Sequence, residues 1–134
     1  LDSIQAAVVI AKMAIFDEEI VMRQRVAERY SEVLANAGVE LPKVAEGNTS
    51  VYAQYTILSE NRDQIQAVLS QAEIPSVKYY SVPLHLQPVF SNLGHREGDF
   101  PMTEKIASLG LSLPMSPYVS WEDQERLGAA ISRL

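Results

Sequence analysis

The stretch Ser50-Val51-Tyr52-Ala53-Gln54-Tyr55-Thr56-Ile57-Leu58 alternates two sets of side chains. Val51, Ala53, Tyr55 and Ile57 fall on one face, and Tyr52, Gln54, Thr56 and Leu58 on the other. Alternation with β-branched and aromatic residues predicts a strand over 50–58. Behind it, Asn61 and Gln64 have the spacing of a capping box. Ile65, Val68, Leu69 and Ala72 then form one helical stripe, which Pro75 ends. A strand running straight into an amphipathic helix sets the architecture.

Downstream, Ser76–Ser81 predicts a second strand leading into Pro83, and Leu84–Gly98 a long irregular segment. Phe100–Leu109 predicts a short helix, with Asp99 near its cap and Pro101 in its first turn. Leu111–Leu113 predicts a third short strand stopped by Pro114, and Ser120-Trp121-Glu122-Asp123 starts a last helix with Leu127, Ile131 and Leu134 as its core face. Upstream, Leu41–Asn48 reads as a loop. Residues 1–37 contain no proline or glycine and predict one long helix, with room for a kink near Asp17, ended at Gly38. The order helix, strand, helix, strand, loop, helix, strand, helix gives an α+β fold: a long N-terminal helix (1–37), then a small, mainly antiparallel three-stranded sheet covered by helices (38–134).

The long helix changes character along its length. Val26, Tyr30, Val33, Leu34 and Ala37 follow the helical period, opposite a charged face of Arg23, Arg25, Glu28, Arg29 and Glu32. Ile4–Phe16 is apolar almost all round, interrupted by Gln5 and Lys12. As a helix it rises about 20 Å, short of a hydrocarbon core of about 30 Å. It is expected to be buried by a partner, either another subunit or a further part of the polypeptide.

The chain has 134 residues, 47% of them hydrophobic, and a net charge of −6. This is enough for one core, and the acidic balance argues against nucleic acid or an anionic membrane as partner. The absence of cysteine excludes disulfides, thiolate metal sites and a cysteine nucleophile, and fits a cytoplasmic setting. The six glycines never cluster as a phosphate cradle requires. His85 and His95 lack further ligands at metal spacing, and His95 with Asp99 makes a triad only on paper. Lys12 is the lysine whose surroundings look buried, although its stem is long enough to reach the surface. No catalytic, cofactor-binding or metal residue is assigned. The densest polar-aromatic stretch is Lys78-Tyr79-Tyr80-Ser81-Val82-Pro83-Leu84-His85-Leu86-Gln87, where tyrosines at a strand end fit a wet pocket wall or ordinary packing equally well.

That stretch resembles the turn His/Tyr-Tyr-Pro-x-Pro-Leu-His-x-Gln of the DegT/DnrJ/EryC1/StrS family of pyridoxal-phosphate-dependent nucleotide-sugar aminotransferases. Gly98-Asp99-Phe100-Pro101 with Glu104, and Leu111-Ser112-Leu113-Pro114-Met115, resemble two further elements of that family in the same order. Ala27 and Tyr30 match its Arg-x-x-Ala-x-x-Tyr stretch, and Leu1–Ala7 resembles the segment after its Gly-x-Asn-x-Arg loop. The resemblance covers the whole chain.

It implies the small domain of a fold-type I aminotransferase, a piece of a larger chain whose upstream large domain holds the Schiff-base lysine and the pyridoxal phosphate. It implies Tyr79 and Tyr80 facing the sugar, with tyrosine at a position where many members carry histidine and Ser81 in place of proline. His85, matched to the motif, is the third substrate-side candidate and is expected mainly to hold the turn. Implied partners are a nucleotide-sugar substrate, the large domain and a second copy in a homodimer. The reaction implied for the parent is amino transfer, with glutamate as the expected donor, to a nucleotide-linked keto-sugar for polysaccharide or antibiotic sugars. The rival expectation is a stand-alone, non-catalytic binding or regulatory module.

Overall fold

A computed structural model describes residues 2–134. In chain order its elements are α1 (Ser3–Met13), α2 (Phe16–Val33), β1 (Tyr55–Leu58), α3 (Arg62–Gln71), two 3₁₀ segments (Leu84–Leu86 and Pro88–Leu93), α4 (Pro101–Leu109), β2 (Gly110–Leu113) and α5 (Trp121–Ile131).

The long helix expected over 1–37 is two helices. Ile15 N–H bonds Lys12 O at 3.2 Å and tightens the chain into a turn, after which α2 starts. Asp17, Glu18 and Glu19 fill its first turn, where negative charge suits the positive end of a helix. That triplet marks a helix start rather than a kink. α1 carries its own capping box: Asp2 Oδ1 accepts from Gln5 N–H at 2.8 Å, and Asp2 N–H bonds Gln5 Oε1. It buries no residue; Ala6 is half-buried, and Lys12 stands exposed. α2 ends earlier than expected, at Val33; the chain tightens through Leu34–Ala37 into Gly38, whose φ of 66° is the left-handed conformation glycine adopts freely.

β1 and β2 pair antiparallel, with Tyr55 opposite Leu113 and Thr56 opposite Ser112. The expected strand 50–58 shortens to 55–58. Tyr52 takes a φ of 43°, its N–H bonds Ser50 Oγ, and Arg23 donates to its carbonyl, so the backbone bends before the ladder begins. The expected strand 76–81 reduces to one bridge, Val77 to Ser112, with bonds of 3.0 and 2.8 Å. The sheet therefore has two strands, not three. The next residue, Lys78, is drawn to Asp63 on α3, and the chain turns away from β2.

One face of this sheet carries the core. Tyr55, Ile57, Leu111 and Leu113 meet Val26, Ala27, Tyr30 and Leu34 from α2 and its end, Ile65 and Leu69 from α3, and Leu127 and Ile131 from α5. Gln124 donates from α5 to the buried Val26 carbonyl at 2.8 Å, and Gly128 lets α5 close on Val33, where a Cβ would lie 3.1 Å from the valine Cβ. Leu134, expected in the core, lies beyond α5 and is exposed. Asn61 gives no side-chain cap to α3, because its backbone is already near-helical; Ser59 Oγ takes the Asn61 N–H instead. Among the described residues no helix is long and apolar enough to cross a membrane.

Candidate functional site

With Tyr55 and Ile57 turned into the core, alternation puts Thr56 on the opposite face of the sheet. Its cross-strand partner is Ser112, and the two hydroxyls bond at 2.7 Å. They form the floor of a cleft of about 320 Å³. α4 makes one wall, with Thr103, Ile106 and Ala107 aligned by helical spacing. Gly110 joins α4 directly to β2, and a Cβ there would lie 3.0 Å from the Ile106 carbonyl. The other wall is Tyr79 and Tyr80, followed by Val82, Pro83, Leu84 and Gln87. The cleft is apolar, with phenols at one side and hydroxyls below, and its size is at the lower end of small-molecule sites.

The tyrosine wall is held at both ends. Lys78 Nζ reaches Asp63 Oδ1 at 2.7 Å, and Arg62 Nε reaches the same oxygen at 3.0 Å. The Lys78 bond first, then Arg62, holds the Asp63 carboxyl below the ordinary aspartate value. At the far end Leu86 N–H bonds Pro83 O, Gln87 N–H bonds Leu84 O, and the Gln87 amide reaches Val82 O at 3.4 Å. Between these anchors the Tyr79 and Tyr80 rings sit 6.4 Å apart, 56% and 75% exposed.

His85 lies behind the turn. Its side chain is only 8% exposed, and its Nε2 lies 2.9 Å from Glu104 Oε1. Its ring packs against Phe100 at 4.8 Å. Glu104 also accepts from the Gly98 and Phe100 N–H groups just before α4, at 2.9 and 3.3 Å. Desolvation would raise the Glu104 pKa, but the bonds from Gly98, His85 and Phe100 outweigh it and hold the carboxyl below the ordinary glutamate value. Glu104 thus ties down the turn before α4; Asp99, expected near the cap, instead accepts from Arg96 N–H and lies 3.5 Å from His95.

Of the residues singled out in sequence, Tyr79 and Tyr80 come together on the cleft and His85 does not line it. Sequence reasoning missed the floor and the α4 wall. Thr56 and Ser112 are 56 residues apart, and only the strand register joins them. The helical spacing of Thr103, Ile106 and Ala107 within 101–109 is the local signal that could have pointed to its wall. No lysine or arginine lines the cleft, so it does not fit a phosphate-bearing cofactor held by this chain alone. Among the described residues no cluster of three or more acids and histidines is placed to hold a metal.

The sequence profile of the DegT/DnrJ/EryC1/StrS aminotransferase family matches residues 1–132. The chain is 38% identical over 132 residues to the UDP-2-acetamido-2-deoxy-3-oxo-D-glucuronate aminotransferase of Pseudomonas aeruginosa, an alignment covering 98% of this chain and 36% of that protein. A crystal structure of a DegT DnrJ EryC1 StrS aminotransferase from Brucella abortus superposes with a TM-score of 0.90 at 46% identity, covering 98% of this chain and 35% of that one. DesV of S. venezuelae superposes at 0.94 with 31% identity, over 99% of this chain and 36% of its own. The chain therefore spans about a third of the length of these relatives. With a profile match over nearly its whole length and the same fold in both structures, this chain belongs to the DegT/DnrJ/EryC1/StrS aminotransferase family.

Proposed function

We propose that this chain is the small domain of a pyridoxal-phosphate-dependent sugar aminotransferase, and that the Tyr79–Tyr80 cleft is one wall of the pocket for a nucleotide-linked keto-sugar. The observation that carries the reading is the cleft itself, an apolar trough edged by two accessible phenols and floored by the Thr56–Ser112 hydroxyl pair. A sugar ring has apolar C–H faces and hydroxyl edges. Tyrosine meets both, stacking with its ring and hydrogen-bonding through its hydroxyl. UDP- and dTDP-linked sugars in the relatives' names support this substrate class.

Pyridoxal phosphate supplies the electron sink of amino transfer when it is bound. In this reading it is held by a large domain that precedes this one, and the bare apolar face of α1 docks there. Tyr79 and Tyr80 orient the sugar, and the apolar walls keep water from the reacting end. His85 acts on the substrate only through the turn it supports. Glutamate is the expected amino donor, and the working form is a cytoplasmic homodimer.

The test is to express the gene with whatever coding sequence lies upstream. The longer polypeptide is expected to bind pyridoxal phosphate and aminate a UDP- or dTDP-linked keto-sugar, with Tyr79→Ala and Tyr80→Ala raising KM. The 134-residue chain is expected to do neither. Nucleotide-sugar binding by the 134-residue chain, with no cofactor-binding sequence upstream, would replace this reading with a stand-alone binding module.

A further inference from the structure

The His85 ring is almost enclosed, and a buried ring N–H needs an acceptor. An ionised carboxylate only accepts, so Nε2 donates and Glu104 receives. This bond does more than settle two polar groups, because its ends belong to opposite sides of the cleft. His85 lies in the turn whose Pro83, Leu84 and Gln87 line one wall, while Glu104 lies on α4 between Thr103 and Ile106 of the other. The same carboxylate takes the Gly98 and Phe100 N–H groups, and Phe100 packs its ring on His85. One residue therefore fixes the start of α4, the loop before it and the turn that follows the two tyrosines.

We propose that Glu104 is the positioning residue of the cleft: its carboxylate clamps the two walls together through His85 and so sets where Tyr79 and Tyr80 stand. The clamp follows from the protein's own contacts; its consequence for substrate rests on the sugar reading above. A purely local role, capping α4, predicts something different. Under that role Glu104 matters to helix stability, and His85 is a dispensable neighbour.

The two roles separate in ¹⁹F NMR of the 134-residue chain labelled with 3-fluorotyrosine, its resonances assigned by single Tyr→Phe changes. His85→Phe keeps a ring against Phe100 but removes the donor, and leaves the Gly98 and Phe100 bonds to Glu104 in place. It is expected to shift the Tyr79 and Tyr80 signals while those of the buried Tyr30 and Tyr55 stay still. Glu104→Ala is expected to shift the same pair in the same direction, and the double variant to shift it by less than the sum of the two single changes, because both remove the one His85–Glu104 bond. His85→Gln, which keeps an N–H donor, is expected to return them toward the wild-type positions. The proposal is overturned if Glu104→Ala lowers the melting temperature while His85→Phe leaves Tyr79 and Tyr80 unmoved. Should Glu104→Ala unfold the chain, seen as collapse of the Tyr30 and Tyr55 signals, the His85 pair decides alone. No cofactor or sugar enters the measurement, so failure of the sugar reading would leave its result standing, and loss of the clamp would leave that reading standing.

Discussion

α1 and α2 follow one another in the chain, separated by a single turn, yet they meet opposite fates. α1, the more apolar helix, buries nothing; Ile4, Val8, Val9, Ile10 and Met13 all lie open. α2 is rich in charge and buries Val26, Ala27 and Tyr30. The difference is one of pattern against available surface. α2 offers a narrow apolar stripe that matches one face of a two-stranded sheet, and α5 closes on its side. α1 offers apolar surface that no element among the described residues buries. Apolar content states a demand for burial; only a matched partner satisfies it.

The comparison breaks most sharply under truncation. Ile57, with no exposed surface, is predicted to lose about 2–5 kcal/mol as Ile57→Ala, by lost transfer energy and the cavity left behind. Ile10, 72% exposed, is predicted to change stability by less than about 0.5 kcal/mol as Ile10→Ala. Urea denaturation of both variants measures the contrast, and comparable losses would mean that α1 is packed after all. Next in size is the seam between α2 and α5. Gly128→Leu must force its side chain against Val33, whose carbonyl already lies 3.2 Å from where a Cβ would begin. A loss of about 1–3 kcal/mol is expected from overpacking, read in the same denaturation experiment.

The same contrast explains what could be read from the sequence. The α2, α3 and α5 stripes were legible because helical periodicity and burial agree at Tyr30, Leu69, Leu127 and Ile131. Helix breaks and strand lengths were not, because they depend on contacts far apart in the chain. Tyr52 bends under hydrogen bonds from Arg23 and to Ser50, and strand 76–81 ends at Lys78 because α3 supplies Asp63. The cleft was half legible. The Tyr79–Tyr80 wall lies in one quotable run of residues, whereas the floor needs β1 and β2 in register, which the 56-residue separation between Thr56 and Ser112 conceals.

A smaller effect sharpens the buried side of the comparison. Tyr30 donates to the Pro114 carbonyl at 2.8 Å, and Tyr30→Phe is expected to cost about 0.5–1.5 kcal/mol. Burial first, with Asp123 and Tyr55 adding to it, raises the Tyr30 phenol above its ordinary value of 10.0. A raised folded pKa stabilises the fold fully at lower pH and stops doing so as pH climbs above 10.0 toward the folded value. Tyr30→Phe should therefore flatten the alkaline limb of the stability curve, with its remaining slope carried by other groups. On the exposed side, α1 predicts association without a folding penalty. The 134-residue chain should self-associate with rising concentration in sedimentation velocity, and Val9→Glu with Ile10→Glu should reduce that association while leaving the urea midpoint nearly unchanged.

The smallest effect concerns a second helix that buries no residue. α4 resembles α1 in that respect, but one carboxylate within its first turn holds it in place. With its pKa below 4.5 when folded, Glu104 contributes its full share above that pH and loses it as pH falls through the depressed value. The Gly98 and Phe100 amides should therefore lose hydrogen-exchange protection on acidification before the Ile57 and Leu111 amides of the sheet do. Glu104→Gln cannot ionise, so its protection at Gly98 and Phe100 should be lower at neutral pH and should vary less across the acid range. If those two amides kept their protection through the acid range in the unaltered chain, something other than the Glu104 carboxylate would be anchoring α4. The helix would then owe its place to the apolar wall it shares with the cleft, and the likeness to α1 would end there.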